Sequence, residues 1–182
     1  LQARNECFFS IVDLHAITGQ HEAATLERRT LDMAIGLLAA GIDPARSTFF
    51  VQSHVPEHAE LFLLLSMSVP IPWLERVPTY KEQQENLAGK DLSTLGFLGY
   101  PLLQTADVVL YDAQYVPVGE DQVAHLELSR EVVRRFHNFY GPVFVEPQPL
   151  LTRFPRLPGL DNRKMSKSYG NAIELSDAAE TV

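Results

Sequence analysis

The sequence has one cysteine, Cys7, and one tryptophan, Trp73, among 182 residues. A single thiol excludes an internal disulfide and a cysteine-rich metal site, and it sets the expectation of a reducing, cytoplasmic environment. Long apolar runs are missing as well. The most apolar stretch, Leu61-Phe62-Leu63-Leu64-Leu65, falls far short of the roughly 20 residues a bilayer-spanning helix needs, so no membrane segment is expected. Nothing has the pattern of a signal peptide. Positive charge is in short supply: 15 Lys and Arg face 23 Asp and Glu, for a net charge of -8. A phosphate backbone would on average be repelled, so any polyanionic partner must meet a local basic patch. No segment repeats at the period of a solenoid.

What is present fits one globular domain with a substantial core: 46% of residues are apolar and 21% charged. Residues 7–12 (CFFSIV) form a continuous β-favouring run, expected as a strand buried on both faces. Residues 22–40 switch to a helical period with Leu31, Ala34, Ile35 and Leu38 as the apolar stripe and Gly41 beyond the end. Residues 47–51 predict a second buried strand, and Pro56 opens a helix over 57–67. Strand, helix, strand, helix at these lengths predicts a parallel sheet with right-handed crossovers, an α/β fold. Residues 70–90 are expected as a loop with a short helix, and the Pro-rich 140–158 as an extended connector.

The local basic patch exists. Arg153, Arg156, Arg163, Lys164 and Lys167 lie within 153–167, where Asp161 is the one acid, giving +5 − 1 = +4 on an acidic chain. Behind a Pro/Gly-rich hinge, Lys164-Met165-Ser166-Lys167-Ser168 reads as an exposed loop. It is either a phosphate clamp, which flexible point charges and hydroxyls suit, or a solvated basic loop.

Two further clusters carry chemistry. Tyr100, Gln104 and Asp107 recur at spacings of four and three, so on a helix they share one face. Asp107 lies among Leu103, Ala106, Val108, Val109 and Leu110, where a carboxylate must find donors. It faces either a ligand or an internal cap or salt bridge. Next, Val116-Pro117-Val118-Gly119-Glu120-Asp121-Gln122 leads into a helix with the stripe Leu126, Ser129, Val133, Phe136, running to about residue 137. Glu120 and Asp121 would repel phosphate but can accept from the hydroxyls of a ribose, or they simply complement the helix dipole. Asp13 and His15 follow the first strand, at the edge where α/β sheets bind ligands, though a structural loop histidine is the plain alternative. His54 and His58 have metal-compatible spacing but no evident third ligand, and are expected as an exposed pair.

Together Ile11 to Thr18, Val51-Gln52-Ser53-His54-Val55-Pro56, Trp73-Leu74-Glu75-Arg76, Tyr100 to Asp107, Pro117 to Gln122, His125-Leu126-Glu127-Leu128 and the KMSKS string at Lys164 to Ser168 resemble the bacterial-type tryptophanyl branch of the class I aminoacyl-tRNA synthetases. The resemblance implies a Rossmann-like catalytic domain, a homodimer, and activation of tryptophan with ATP and Mg²⁺ before transfer to tRNA(Trp). It assigns Asp107 to the indole N–H, and His15, Tyr100, Gln104, Val116, Val118 and Gln122 to the amino-acid pocket. Gly119, Glu120 and Asp121 would meet the ribose, Leu157 the adenine, and Lys164, Met165, Ser166, Lys167 and Ser168 the phosphates, with Lys164 and Lys167 catalytic. The family's HIGH-like stretch and anticodon-recognising domain are not in the sequence. Residues 1–182 are therefore expected to be a catalytic domain cut at both ends and inactive alone. Tyrosine specificity is the nearest rival, because Tyr100-Gln104-Asp107 also suits a phenol. A non-catalytic binding paralogue is the rival from another class.

Overall fold

A computed structural model describes residues 1–18, 23–78, 94–151, 158–163, 165, 170–173, 177 and 180. Strand β1 (Phe8–Ile11) leads into a single helical turn, α1 (Asp13–Ala16), and helix α2 (Ala23–Ala39) carries the chain back to β2 (Thr48–Val51). The two strands pair in parallel, Phe8 beside Thr48 and Ile11 beside Val51. This is the expected crossover unit. A 3₁₀ turn (Gln52–His54) follows, then α3 (Glu57–Ser66) and α4 (Ile71–Glu75). Helix α5 (Leu95–Val109) starts where the Thr94 hydroxyl accepts the Phe97 N–H. After it come β3 (Tyr115–Val118), a 3₁₀ turn (Glu120–Gln122), α6 (Val123–Tyr140) and β4 (Gln148–Leu151).

Strand β4, read from sequence as an extended connector, pairs in parallel with β3. Its flanking and internal prolines argued against a ladder. The ladder tolerates them because Gln148 N–H donates to Gln114 O at 2.9 Å, which starts the bonding on Gln148 and leaves Pro149, beside Val116, on the alternate positions.

Helices dominate the core. Leu65 of α3, Leu74 of α4, Leu102, Ala106 and Val109 of α5, and Leu128, Val132 and Val133 of α6 form one buried cluster. Each of the leucine and valine side chains contributes about 1.5–3 kcal/mol by leaving water. The predicted α6 stripe holds for Leu126, Ser129 and Val133, which are buried. Close approach of α3 to α5 depends on Gly99, where a Cβ would stand 3.1 Å from the Phe62 ring. Between α5 and α6 the Thr105 and Ser129 hydroxyls meet at 2.9 Å, so both buried hydroxyls are satisfied. Trp73 packs beneath the guanidinium of Arg135, 5.5 Å from its centroid, in a cation–π contact that ties α4 to α6.

Two expectations about the first strands are corrected. In β1 only Ile11 is buried, and Phe8 is exposed. Of the stripe expected to bury α2, Leu31, Ile35 and Leu38 face outward, Leu31 55% and Ile35 56% exposed, and Ala34 alone is half-buried. Helix α2 leans instead on Leu26, Thr30, Ala34 and Leu37, which are half-buried. Both stripes repeat with helical period, so periodicity alone could not choose between them. No helix among the described residues is long and apolar enough to cross a membrane.

Candidate functional site

Strands β1 and β2 end at Ile11 and Val51, and the chain beyond each end turns toward the same face of α5. Helical geometry places Tyr100, Gln104 and Asp107 on that face, as their spacing predicted. The three then separate in what they touch. The Tyr100 hydroxyl lies 3.1 Å from Nε2 of His125 on α6, and the Gln104 amide lies 3.5 Å from the Gln122 side-chain oxygen. Asp107 faces the first half of the fold.

Its carboxylate is not left without donors. Oδ1 accepts from Gln52 Nε2 at 2.6 Å and from His58 Nδ1 at 2.6 Å; Oδ2 meets His15 Nε2 at 2.7 Å. Of the two sequence readings, ligand-facing acceptor or internally satisfied acid, the structure supports the second for three of about four lone-pair sites. One site on Oδ2 remains, and the Asp107 side chain keeps 14% exposure. The acid therefore has a well-fixed orientation and a single acceptor position that no described residue fills.

Each donor is itself held. Gln52 is fully buried, and its side-chain oxygen accepts the Leu14 N–H at 3.1 Å, which commits its nitrogen to Asp107. His58 is fully buried, and its Nε2 lies 2.7 Å from the Tyr111 hydroxyl. Tyr111 stacks on Phe8 with centroids 4.8 Å apart and meets Phe50 at 5.5 Å, so the far end of the network is seated on β1 and β2. Burial, with Asp107 and Glu57 nearby, pushes the Tyr111 phenol above its ordinary range and keeps it protonated. Asp13 accepts the Leu14 and Ser53 N–H groups at 3.1 and 3.0 Å, joining the α1 and 3₁₀ turns that carry His15 and Gln52.

His58 corrects the expected exposed pair: His54 is exposed, His58 is not. Sequence reasoning gave no role to Gln52, His58 or Tyr111. A signal for His58 was available, because it falls on the stripe His58, Leu61, Phe62, Leu65 of α3, the position of a core histidine. Tyr111 stands four residues after Asp107, just past the helix end, and carried no comparable mark.

The second half of the site follows β3. Val116 and Val118 alternate onto one half-buried side of the strand. Gly119, at φ −75, opens the 3₁₀ turn that presents Glu120 and Asp121 at the surface and Gln122 partly inside. Burial holds the His125 pKa below the ordinary imidazole value, Asp121 opposes this, and the charge of His15 reinforces it.

Of the Lys164–Ser168 string, Met165 is described and half-buried; Lys164, Ser166, Lys167 and Ser168 lie outside the described residues, as does Leu157. On either side of the string Asp161 accepts from Asn171 Nδ2 at 2.7 Å and from the Arg163 backbone and Nε at 3.0 and 2.6 Å. Gly159 is needed here, since a Cβ would lie 2.3 Å from the Asn171 amide. These bonds, Asn171 first, hold the Asp161 pKa down to about 2. A depressed carboxylate pKa contributes stability in the ordinary carboxylate range and above, and loses it as pH falls through the folded value. A carboxyl titration by NMR should place Asp161 at about 2; an ordinary aspartate titration would mean that the clip does not persist in solution.

The family model for class I tRNA synthetases (W and Y) matches residues 1–182. The chain belongs to this family. As a class I synthetase of the tryptophan and tyrosine group it has the Rossmann-like α/β fold, in which the polar network at the strand ends lies where such sheets bind ligands. It is similar to the tryptophan–tRNA ligase of Thermotoga maritima, 58% identical over 172 residues that cover 94% of this chain and 52% of that protein. The tryptophanyl-tRNA synthetase of Campylobacter jejuni, solved as a complex with ADP and tryptophan, superposes with a TM-score of 0.89 at 35% identity, covering 99% of this chain and 56% of that one. That of Mycoplasma pneumoniae gives 0.91 at 32% identity, covering 99% and 55%. This synthetase chain spans about half the length of the relatives it matches.

Proposed function

We propose that the protein to which this chain belongs is a tryptophan–tRNA ligase that activates tryptophan with ATP and passes it to tRNA(Trp). The observation that carries this reading is the acceptor position on Asp107 Oδ2 that no described residue fills, in an apolar helix at the ends of the paired strands. Indole N–H is a donor without acceptor capacity, which matches a carboxylate whose neighbours are all donors. Phenylalanine would bury that position unpaired, a strong penalty. The relatives named tryptophan–tRNA ligase support the same substrate, with identities from 38% to 58%.

In this reading His15, Tyr100, Gln104, Val116, Val118 and Gln122 surround the amino acid. Gly119, Glu120 and Asp121 meet the ribose, and Leu157 the adenine. ATP arrives as its Mg²⁺ complex, the ion belonging to the substrate. The tryptophan carboxylate attacks the α-phosphorus, the bond to pyrophosphate breaks, and the developing charge is met by Lys164 and Lys167 with Met165, Ser166 and Ser168 around them. The protein contributes positioning and electrostatics, with no covalent enzyme intermediate. A cytoplasmic homodimer is the assembly and location we infer from the family resemblance.

The test is ATP–pyrophosphate exchange with full-length protein. Tryptophan is expected to drive exchange and tyrosine not. Exchange driven by tyrosine would overturn the substrate assignment, and none with either amino acid would favour a binding paralogue.

A further inference from the structure

The Asp107 carboxylate is one end of a chain of hydrogen bonds that runs through the fully buried His58 to the half-buried Tyr111. Tyr111 Oη and His58 Nε2 are 2.7 Å apart, and His58 Nδ1 and Asp107 Oδ1 are 2.6 Å apart. His58 has no exposure at all, so both its ring nitrogens must be satisfied by these two partners. A neutral imidazole has one donor and one acceptor nitrogen, and the bond at one decides the role of the other. With the imidazole neutral, a Tyr111 hydroxyl that donates to Nε2 leaves the hydrogen on Nδ1, where it points at Asp107. The opposite tautomer would set an imidazole lone pair against the carboxylate.

Oδ1 also accepts from Gln52 at 2.6 Å. Both of its lone pairs are thereby filled from inside the protein. The carboxylate cannot rotate without breaking two short bonds to fully buried donors. Oδ2 is left in one orientation, shared with His15 at 2.7 Å and with one acceptor position that no described residue takes.

We propose that His58 and Tyr111 are positioning residues for substrate selection: through the His58 tautomer they hold Asp107 so that one lone pair of Oδ2 is aimed at the N–H of the substrate ring. Neither touches substrate. The inference rests on the tryptophan reading above and adds to it that discrimination for a ring N–H is set behind the pocket. The Phe8 and Phe50 rings packed on Tyr111 keep the relay seated against the sheet.

The test compares kcat/KM in ATP–pyrophosphate exchange for tryptophan and for 3-benzothienylalanine, in which sulfur replaces the ring N–H. Full-length wild type, Tyr111→Phe and Asp107→Asn are each measured with both. Tyr111→Phe removes one oxygen and keeps the ring packing, so it should fold. In wild type tryptophan is expected to be preferred. In Tyr111→Phe that preference is expected to shrink by roughly threefold to tenfold, the effect of one weakened buried hydrogen bond, with tryptophan losing more than the sulfur analogue. His58→Asn, whose amide can still donate to Oδ1, should retain more of the preference than His58→Leu. Equal losses for both substrates in Tyr111→Phe, beside a collapsed preference in Asp107→Asn, would overturn the positioning role and leave the tryptophan reading standing. A wild type with no preference, or an Asp107→Asn that keeps it, would overturn both.

Discussion

Asp107→Ala should lower stability by about 3–5 kcal/mol and weaken tryptophan binding, because it removes the common acceptor of three donors. Two of those donors, on Gln52 and His58, are fully buried and have no water to turn to. An unsatisfied buried donor costs about 1–3 kcal/mol. Thermal or denaturant unfolding measures this part. Asp107→Asn separates it from recognition. The asparagine oxygen can still accept from Gln52 and His58 where Oδ1 did, so most of the stability should remain. Its NH₂ group would stand where Oδ2 did, opposing an indole N–H donor to donor. Tryptophan affinity in Asp107→Asn should therefore fall by roughly tenfold to a hundredfold with a smaller change in unfolding free energy. Wild-type tryptophan kinetics in both variants would make the network scaffold alone.

Lys164→Ala and Lys167→Ala should each lower the rate of adenylate formation by about a hundredfold to a thousandfold, with little change in the tryptophan KM. Charge on the departing pyrophosphate grows toward the transition state, so a cation meeting it stabilises that state more than the ground state. Loss of such an interaction lowers kcat and kcat/KM together. Single-turnover formation of the adenylate in full-length protein reads this directly. An effect confined to KM would mean that the lysines hold ATP equally in ground and transition states.

Part of the candidate site was legible in order along the chain. Spacings of four and three put Tyr100, Gln104 and Asp107 on one face of a helix, and the structure has that helix. The acid's apolar setting announced that it must find donors. Which donors it found was not legible. His58 lies 49 residues from Asp107, Gln52 lies 55 away and His15 lies 92 away, separations over which local pattern says nothing. Strand β4 was missed because proline counts against a ladder, and only pairing with β3 shows that Pro149 occupies an alternate position.

The sequence by itself determined the α/β class, the placement of α3 and α6, the family, and which carboxylate must find donors in an apolar setting. These follow from short-range periodicity and from strings of side chains whose chemistry is fixed by type. Only the tertiary structure decided that α2 turns Leu26 and Leu37 inward and leaves Leu31 and Ile35 outside, and that the described residues leave Asp107 one acceptor position. Both outcomes depend on which surfaces meet when distant segments pack, and burial and hydrogen-bond satisfaction are properties of that meeting.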